Sequence, residues 1–274
     1  MKLINFDAAF AKALGRWIEE NRGKFRNADA MEDAAPEFYT RWLASPAGFL
    51  NGETPGGYFV RYTDAGQLIE LLLSYIAEDV PVPDPLLSRL HDLKDENALF
   101  QLAKDANAPA EARMHAIEIL RELESQLPMV EYIRWQVDRN ADEELLDSAL
   151  ESLCAMGAKA IGPAKIAFLA ADDTGREALV DVLSQSAGDD DVLHFAIRRF
   201  RECADRRALY AGYLGKLGDE RALEPLLAAA EDTNVSYIDF IEIRNAIERL
   251  GGEAPWRDFS DDPTYAAVRR LQMK

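Results

Sequence analysis

Cysteine and histidine are scarce in this chain of 274 residues, with two of the first and three of the second. Cys154 and Cys203 make no paired motif, so neither a disulfide framework nor a zinc site is expected; each falls inside a helical pattern, where a thiol serves as a small buried hydrophobe. His91, His115 and His194 are far apart and lack ligand spacing, which speaks against a metal centre. Long apolar runs are also missing. The densest, Leu68 to Ala77, is interrupted by Glu70 and too short to span a bilayer, and residues 1–15 hold no signal-peptide core, so a soluble cytoplasmic chain without membrane contact is expected. Positive charge is in deficit, 31 Lys and Arg against 49 Asp and Glu, for a net charge of -18. Residues 1–62 are balanced at 8 acidic and 8 basic side chains, so the excess lies wholly in the remainder. Such a field repels nucleic acid, whose backbone requires clustered cations.

Hydrophobic residues make up 48% of the chain, enough for a sizeable core, and they recur with a long period. One frame appears five times: "AIEILREL" from Ala116, "ALESLCAM" from Ala149, "LVDVLSQS" from Leu179, "YAGYLGKL" from Tyr210 and "IRNAIERL" from Ile243. Its fifth position is a column of large apolars, Leu120, Leu153, Leu183, Leu214 and Ile247, spaced by 33, 30, 31 and 33 residues. Each frame follows another amphipathic helix, here termed the A helix of a pair, and short polar breaks such as "DDTG" and "DTN" separate it from its B helix. A unit of about 30 residues with one apolar stripe per helix cannot bury those stripes alone. The expected fold is all-α, an α-solenoid of about five to six stacked helix pairs.

The best-formed stretch, "LGKLGDERALEPLLAAAED" from Leu214 to Asp232, resembles the HEAT-like repeat of the phycobilisome-lyase type, with Leu-Gly-x-Leu-Gly-Asp closing a B helix and Ala-Leu-x-Pro-Leu-Leu opening the next A helix. The resemblance extends as degenerate copies over Asp95 to Gly188 and is absent before about Asp64. It implies a basic residue early in each B helix, where this chain has Arg113, Leu146, Arg176, Arg207 and Phe240. Pro163 and Pro225 stand 62 residues apart at nearly matching places in their A helices, which suggests geometry rather than accident. Three segments follow: a non-repeat cap over 1–62, the array over 63–250 and a closing segment over 251–274 whose last helix starts at about Pro263. Within the array, Asp84 before Pro85 reads as a helix cap.

The N-terminal block holds 11 of the 25 aromatic residues. Asp7 is expected to cap a helix presenting Phe10, Leu14, Trp17 and Ile18, and a second helix near Pro36 presents Tyr39, Trp42 and Leu43. Turns are expected at Asn51-Gly52 and Pro55-Gly56-Gly57. Two uses of these aromatics stay open: closing the end of the helix array, or docking a partner through Tyr58, Arg61 and Tyr62.

Chemistry-bearing motifs are absent: there is no phosphate loop, no His-Glu-x-x-His and no Gly-x-Ser-x-Gly, so no catalytic or cofactor site is expected. Asp172-Asp173 and Asp189 to Asp191 lack calcium-loop spacing and suit helix N-termini. Glu118, Glu151 and Asp181 share one column of successive B helices, either an acidic strip for a basic peptide or a solvated face. Arg198, Arg199, Arg201, Arg206 and Arg207 form either an anion-binding spot or internal ion pairs with Asp189 to Asp191, Glu202 and Asp205. The expected role is a non-enzymatic scaffold or adaptor for another protein or a basic peptide segment. The resemblance also admits a lyase-like accessory enzyme of the bilin-lyase type, or a HEAT-like DNA glycosylase, against which the charge speaks.

Overall fold

The computed structural model describes residues 3–272. In chain order its α-helices are α1 (Phe6–Asn21), α2 (Ala28–Glu32), α3 (Ala35–Leu43), α4 (Ala65–Ala77), α5 (Asp84–Leu93), α6 (Glu96–Lys104), α7 (Ala110–Glu122), α8 (Met129–Asp138), α9 (Glu143–Met156), α10 (Ala158–Ala170), α11 (Asp173–Leu183), α12 (Asp190–Glu202), α13 (Arg207–Leu217), α14 (Leu223–Glu231), α15 (Tyr237–Arg249) and α16 (Pro263–Gln272). Short 3-10 turns stand at Gly48–Leu50, Tyr58–Arg61, Ala204–Arg206 and Glu220–Ala222. Among the described residues there is no strand, and no helix is long and apolar enough to cross a membrane.

The contacts divide the chain into two units, residues 1–128 with 142–148, and residues 129–141 with 149–274. In the first, α6 packs on α7, α4 on α5, α6 and α7, and α1 on α3. In the second, the sequence-adjacent pairs α10–α11, α12–α13 and α14–α15 pack together, α8 touches α10 and α11, and α13 packs along α15.

The apolar column dictates this packing. Leu120, Leu153, Leu183, Leu214 and Ile247 are each at most 2% exposed. Each such side chain contributes about 1.5–3 kcal/mol by leaving water. Caps fix where the helices start: Asp64, Asp95, Asp172, Asp189 and Ser236 each accept a backbone N–H of the first turn. The "LGKLGD" motif separates into distinct physical tasks. A Cβ at Gly215 would lie 3.1 Å from the Ala246 Cα, so the glycine lets α13 and α15 approach. Gly218 ends α13 at φ 69°, in the left-handed region, and Asp219 then accepts from the Arg221 N–H.

Several local expectations need correction. Asn5, rather than Asp7, caps α1 by accepting from the Ala8 N–H, and Asp7 lies in the first turn. Pro83 occupies the cap of α5, leaving Asp84 as its first residue and freeing the carboxylate for a contact with Tyr39. Cys203 terminates α12 instead of lying inside it, and both cysteines are half-buried rather than buried. Pro163 and Pro225 are each the sixth residue of a continuous helical segment. The first turn is α in one case and 3-10 in the other, where the stretch from Glu220 tightens before α14. Neither proline can donate to the carbonyl four residues back.

Candidate functional site

Two helical stripes of the first unit face one another. Asp84, Leu87, Ser88, His91 and Asp92 follow the spacing of one face of α5, and His115, Glu118, Ile119 and Glu122 that of one face of α7. Together they line a cavity of about 450 Å³. The buried stripes on the other faces, Leu86 and Leu90 of α5 and Ala116, Ile117 and Leu120 of α7, hold the two helices in place. Four carboxylates and two imidazoles border the groove over the apolar Leu87 and Ile119, and no lysine or arginine is among its lining residues. The Tyr39 hydroxyl donates to Asp84 Oδ2 at 2.8 Å, and burial together with that carboxylate pushes the phenol upward. His115 Nδ1 lies 3.5 Å from Glu118 Oε2. Among the described residues no group of three or more His, Cys, Asp or Glu is placed to hold a metal ion. Of these residues the sequence pattern marks Glu118 as a binding candidate, Asp84 only as a cap, and His91 and His115 only as histidines without ligand spacing. The five-residue stripe on α5 has the same helical spacing, but α5 precedes the first of the five repeated frames, so the repeat does not mark it.

The other members of the acidic column lie in the second unit. Glu151 is exposed on α9, whereas Asp181 accepts from Lys216 Nζ at 2.8 Å, a cation supplied by α13. Beside that pair, Lys216 lies 5.5 Å from the Tyr213 ring centroid. Burial pushes the Cys154 thiol up to about 11, reinforced by the charge of Asp181, so little thiolate forms at neutral pH.

The arginine-rich segment is engaged within the protein. Arg198 grips Asp173 through two hydrogen bonds of 2.9 Å, Arg201 pairs with Glu224 at 2.7 Å, and Arg199 and Arg206 both hold Glu177, the latter at 2.7 Å. Glu177 is only 16% exposed, so its charge requires those two guanidinium groups. Arg207 lines a cavity of about 250 Å³ with Arg201, Glu224 and Asp232. Of the partners expected from sequence, Glu202 is in place, 3.6 Å from Arg198. Asp189 and Asp191 instead hold Lys165, and Asp190 holds Arg221, because those aspartates open α12 while its arginines stand toward the opposite end of the helix.

The three N-terminal candidates divide between packing and surface. Tyr58 and Tyr62 are half-buried, their rings 5.1 and 6.2 Å from that of Phe59, itself 1% exposed. Arg61 is exposed, pairs with Glu53 and lies 4.4 Å over the Tyr58 ring. Asn51 and Gly52 take φ 55° and 90°, so the expected turn is present. No protein-family model matches this chain, and no curated protein matches it.

Proposed function

We propose that the chain is a non-enzymatic interaction scaffold, built as an α-solenoid of HEAT-like helix pairs, whose groove between α5 and α7 receives a lysine- or arginine-bearing segment of another protein. The observation that carries this reading is the groove itself: Asp84, Asp92, Glu118 and Glu122 on two helix faces, with no cation among the lining residues. Carboxylates gathered in a concave surface raise the local concentration of cations and favour encounter with a basic partner. Leu87 and Ile119 give the aliphatic stem of a lysine or arginine an apolar bed. The solenoid part of the reading draws its support from the evenly spaced, buried column and from sequence-adjacent helix pairs. The net charge of -18 sets a nucleic-acid role below this one.

Fluorescence anisotropy with a labelled Lys/Arg-rich peptide tests the proposal. Binding by the wild type, reduced at least tenfold in Glu118→Lys/Glu122→Lys and weakened by salt, is expected. An affinity that the double variant leaves unchanged, or no binding at low salt, would refute it.

A further inference from the structure

We infer that residues 251–272 form a strap on the last helix pair whose clasp is Arg257, performing there the task that the B-helix arginines Arg113 and Arg176 perform in two earlier pairs. The last carbonyls of a helix have no partner within it and attract donors and positive charge. Arg113 Nε, early in α7, donates to the Ala103 carbonyl near the end of α6 at 2.9 Å. Arg176 Nε, early in α11, donates to the Phe168 carbonyl near the end of α10 at 3.1 Å. The equivalent position in α15 is Phe240, which has no donor to offer.

Arg257 arrives from beyond the helix pair and meets the same need. Its Nη1 donates to the Asp232 carbonyl at 2.8 Å, and its Nη2 to those of Thr233 and Val235 at 3.0 and 2.8 Å. Asp232 lies eight residues before Phe240, just as Phe168 lies eight before Arg176. The guanidinium also lies 5.4 Å from the Phe240 ring centroid, much as Arg176 lies 5.6 Å from that of Phe168. The substitution therefore exchanges a donor within the column for a donor stacked upon it.

The rest of the segment is shaped to keep Arg257 there. A Cβ on Gly252 would come within 2.8 Å of Leu223 and 2.9 Å of Ile247, so the strap leaves α15 pressed against both helices of the pair. Asp262 accepts from the Tyr237 N–H at 3.0 Å, and the Tyr265 and Phe259 rings meet Tyr237 edge-on at 5.0 and 5.3 Å. Trp256, next to the clasp, is 87% exposed and contributes little to this seat.

Hydrogen exchange with mass spectrometry and limited proteolysis on the full chain test the clasp. In Arg257→Ala, amides of residues 232–240 and 251–262 should exchange at least tenfold faster and the strap should become cleavable, while α8 to α13 keep wild-type protection. Arg257→Lys should fall between, and it decides the matter alone if the alanine variant does not fold. Arg244 and Arg257 both line a cavity of about 490 Å³, and Arg244→Ala should leave both regions unchanged. Arg176→Ala should loosen the end of α10 in the same local way. Unchanged exchange in Arg257→Ala, or a uniform rise across the second unit, overturns the clasp; no local effect of Arg176→Ala overturns the shared task.

Discussion

The two units bury the same kind of apolar column but treat charge differently. From residue 63 to 128 the first unit has 13 acidic and 5 basic side chains, and two of those cations are turned to backbone carbonyls: Arg89 to Tyr62 and Arg113 to Ala103. Among the carboxylates of the α5–α7 groove, Asp84 accepts from the Tyr39 hydroxyl and Glu118 lies beside His115, and no lysine or arginine lines the groove. In the second unit the carboxylates around the arginine-rich segment are matched: Asp173 by Arg198, Glu177 by Arg199 and Arg206, Asp181 by Lys216, and Asp189 and Asp191 by Lys165. A repeat frame thus sets the core while leaving its polar faces free to diverge, one with its carboxylates paired to arginine and lysine and the other with a groove that no lysine or arginine lines.

The largest effects should be those on which the units agree. Leu120→Ala in the first and Leu214→Ala in the second each empty a site at most 1% exposed. Each should lower stability by about 2–5 kcal/mol in urea titrations. A much smaller loss at either position would break the equivalence of the columns.

Next comes the contrast in charge. Glu177→Ala strips two arginines of their shared partner at a site mostly out of water and should destabilise the second unit by roughly 1–3 kcal/mol. Glu118→Gln in the first unit should stay within about 0.5 kcal/mol, or stabilise by relieving repulsion. Chemical denaturation of both variants compares them, and equal losses would remove the distinction.

Acid sharpens the same point. The Arg221 side chain, with its backbone N–H, holds the Asp219 carboxyl down at about 2, and the Asp173 carboxyl is lowered chiefly by its bonds to Arg198. A carboxyl depressed in the folded state contributes stability above its unfolded value, about 3.9, and that contribution disappears as pH falls toward the folded value. The second unit should therefore weaken between about pH 4 and 2. Exchange protection of α11 to α14, followed across that range, should fall less in Asp219→Asn than in the wild type.

Salt gives the smallest expected change. Raising ionic strength screens the repulsion among the groove carboxylates and weakens the exposed pairs of the second unit, by a few tenths of a kcal/mol in either direction. Amide exchange should slow in α7 and quicken at the start of α12; the same sign in both would count against the contrast.

Legibility from sequence followed physical range. Positions repeating every 30 to 33 residues were readable because a helix face must be continuously apolar to be buried, and Leu120, Leu153, Leu183, Leu214 and Ile247 are buried accordingly. Aspartates before helices were mostly readable as caps, since a cap bonds within three residues, although Asn5 and Pro83 displaced the expected Asp7 and Asp84. The ion pair within one helix was readable, Glu202 with Arg198 four residues away, but those between helices were not: Arg198 and Asp173 are 25 residues apart, and Lys216 and Asp181 are 35 apart. The groove was half readable, as two face stripes whose meeting no local pattern announces.

By itself the sequence determined the helices, their pairing period and the identity of the core column, because these depend on spacing along one chain and on the aversion of apolar side chains to water. Tertiary structure alone decided which charges are neutralised, which carboxylates share a groove, and that Arg257 reaches back to three carbonyls in place of a missing column arginine. Those outcomes depend on distances across helices: a few ångströms of misplacement abolish a hydrogen bond and weaken an ion pair.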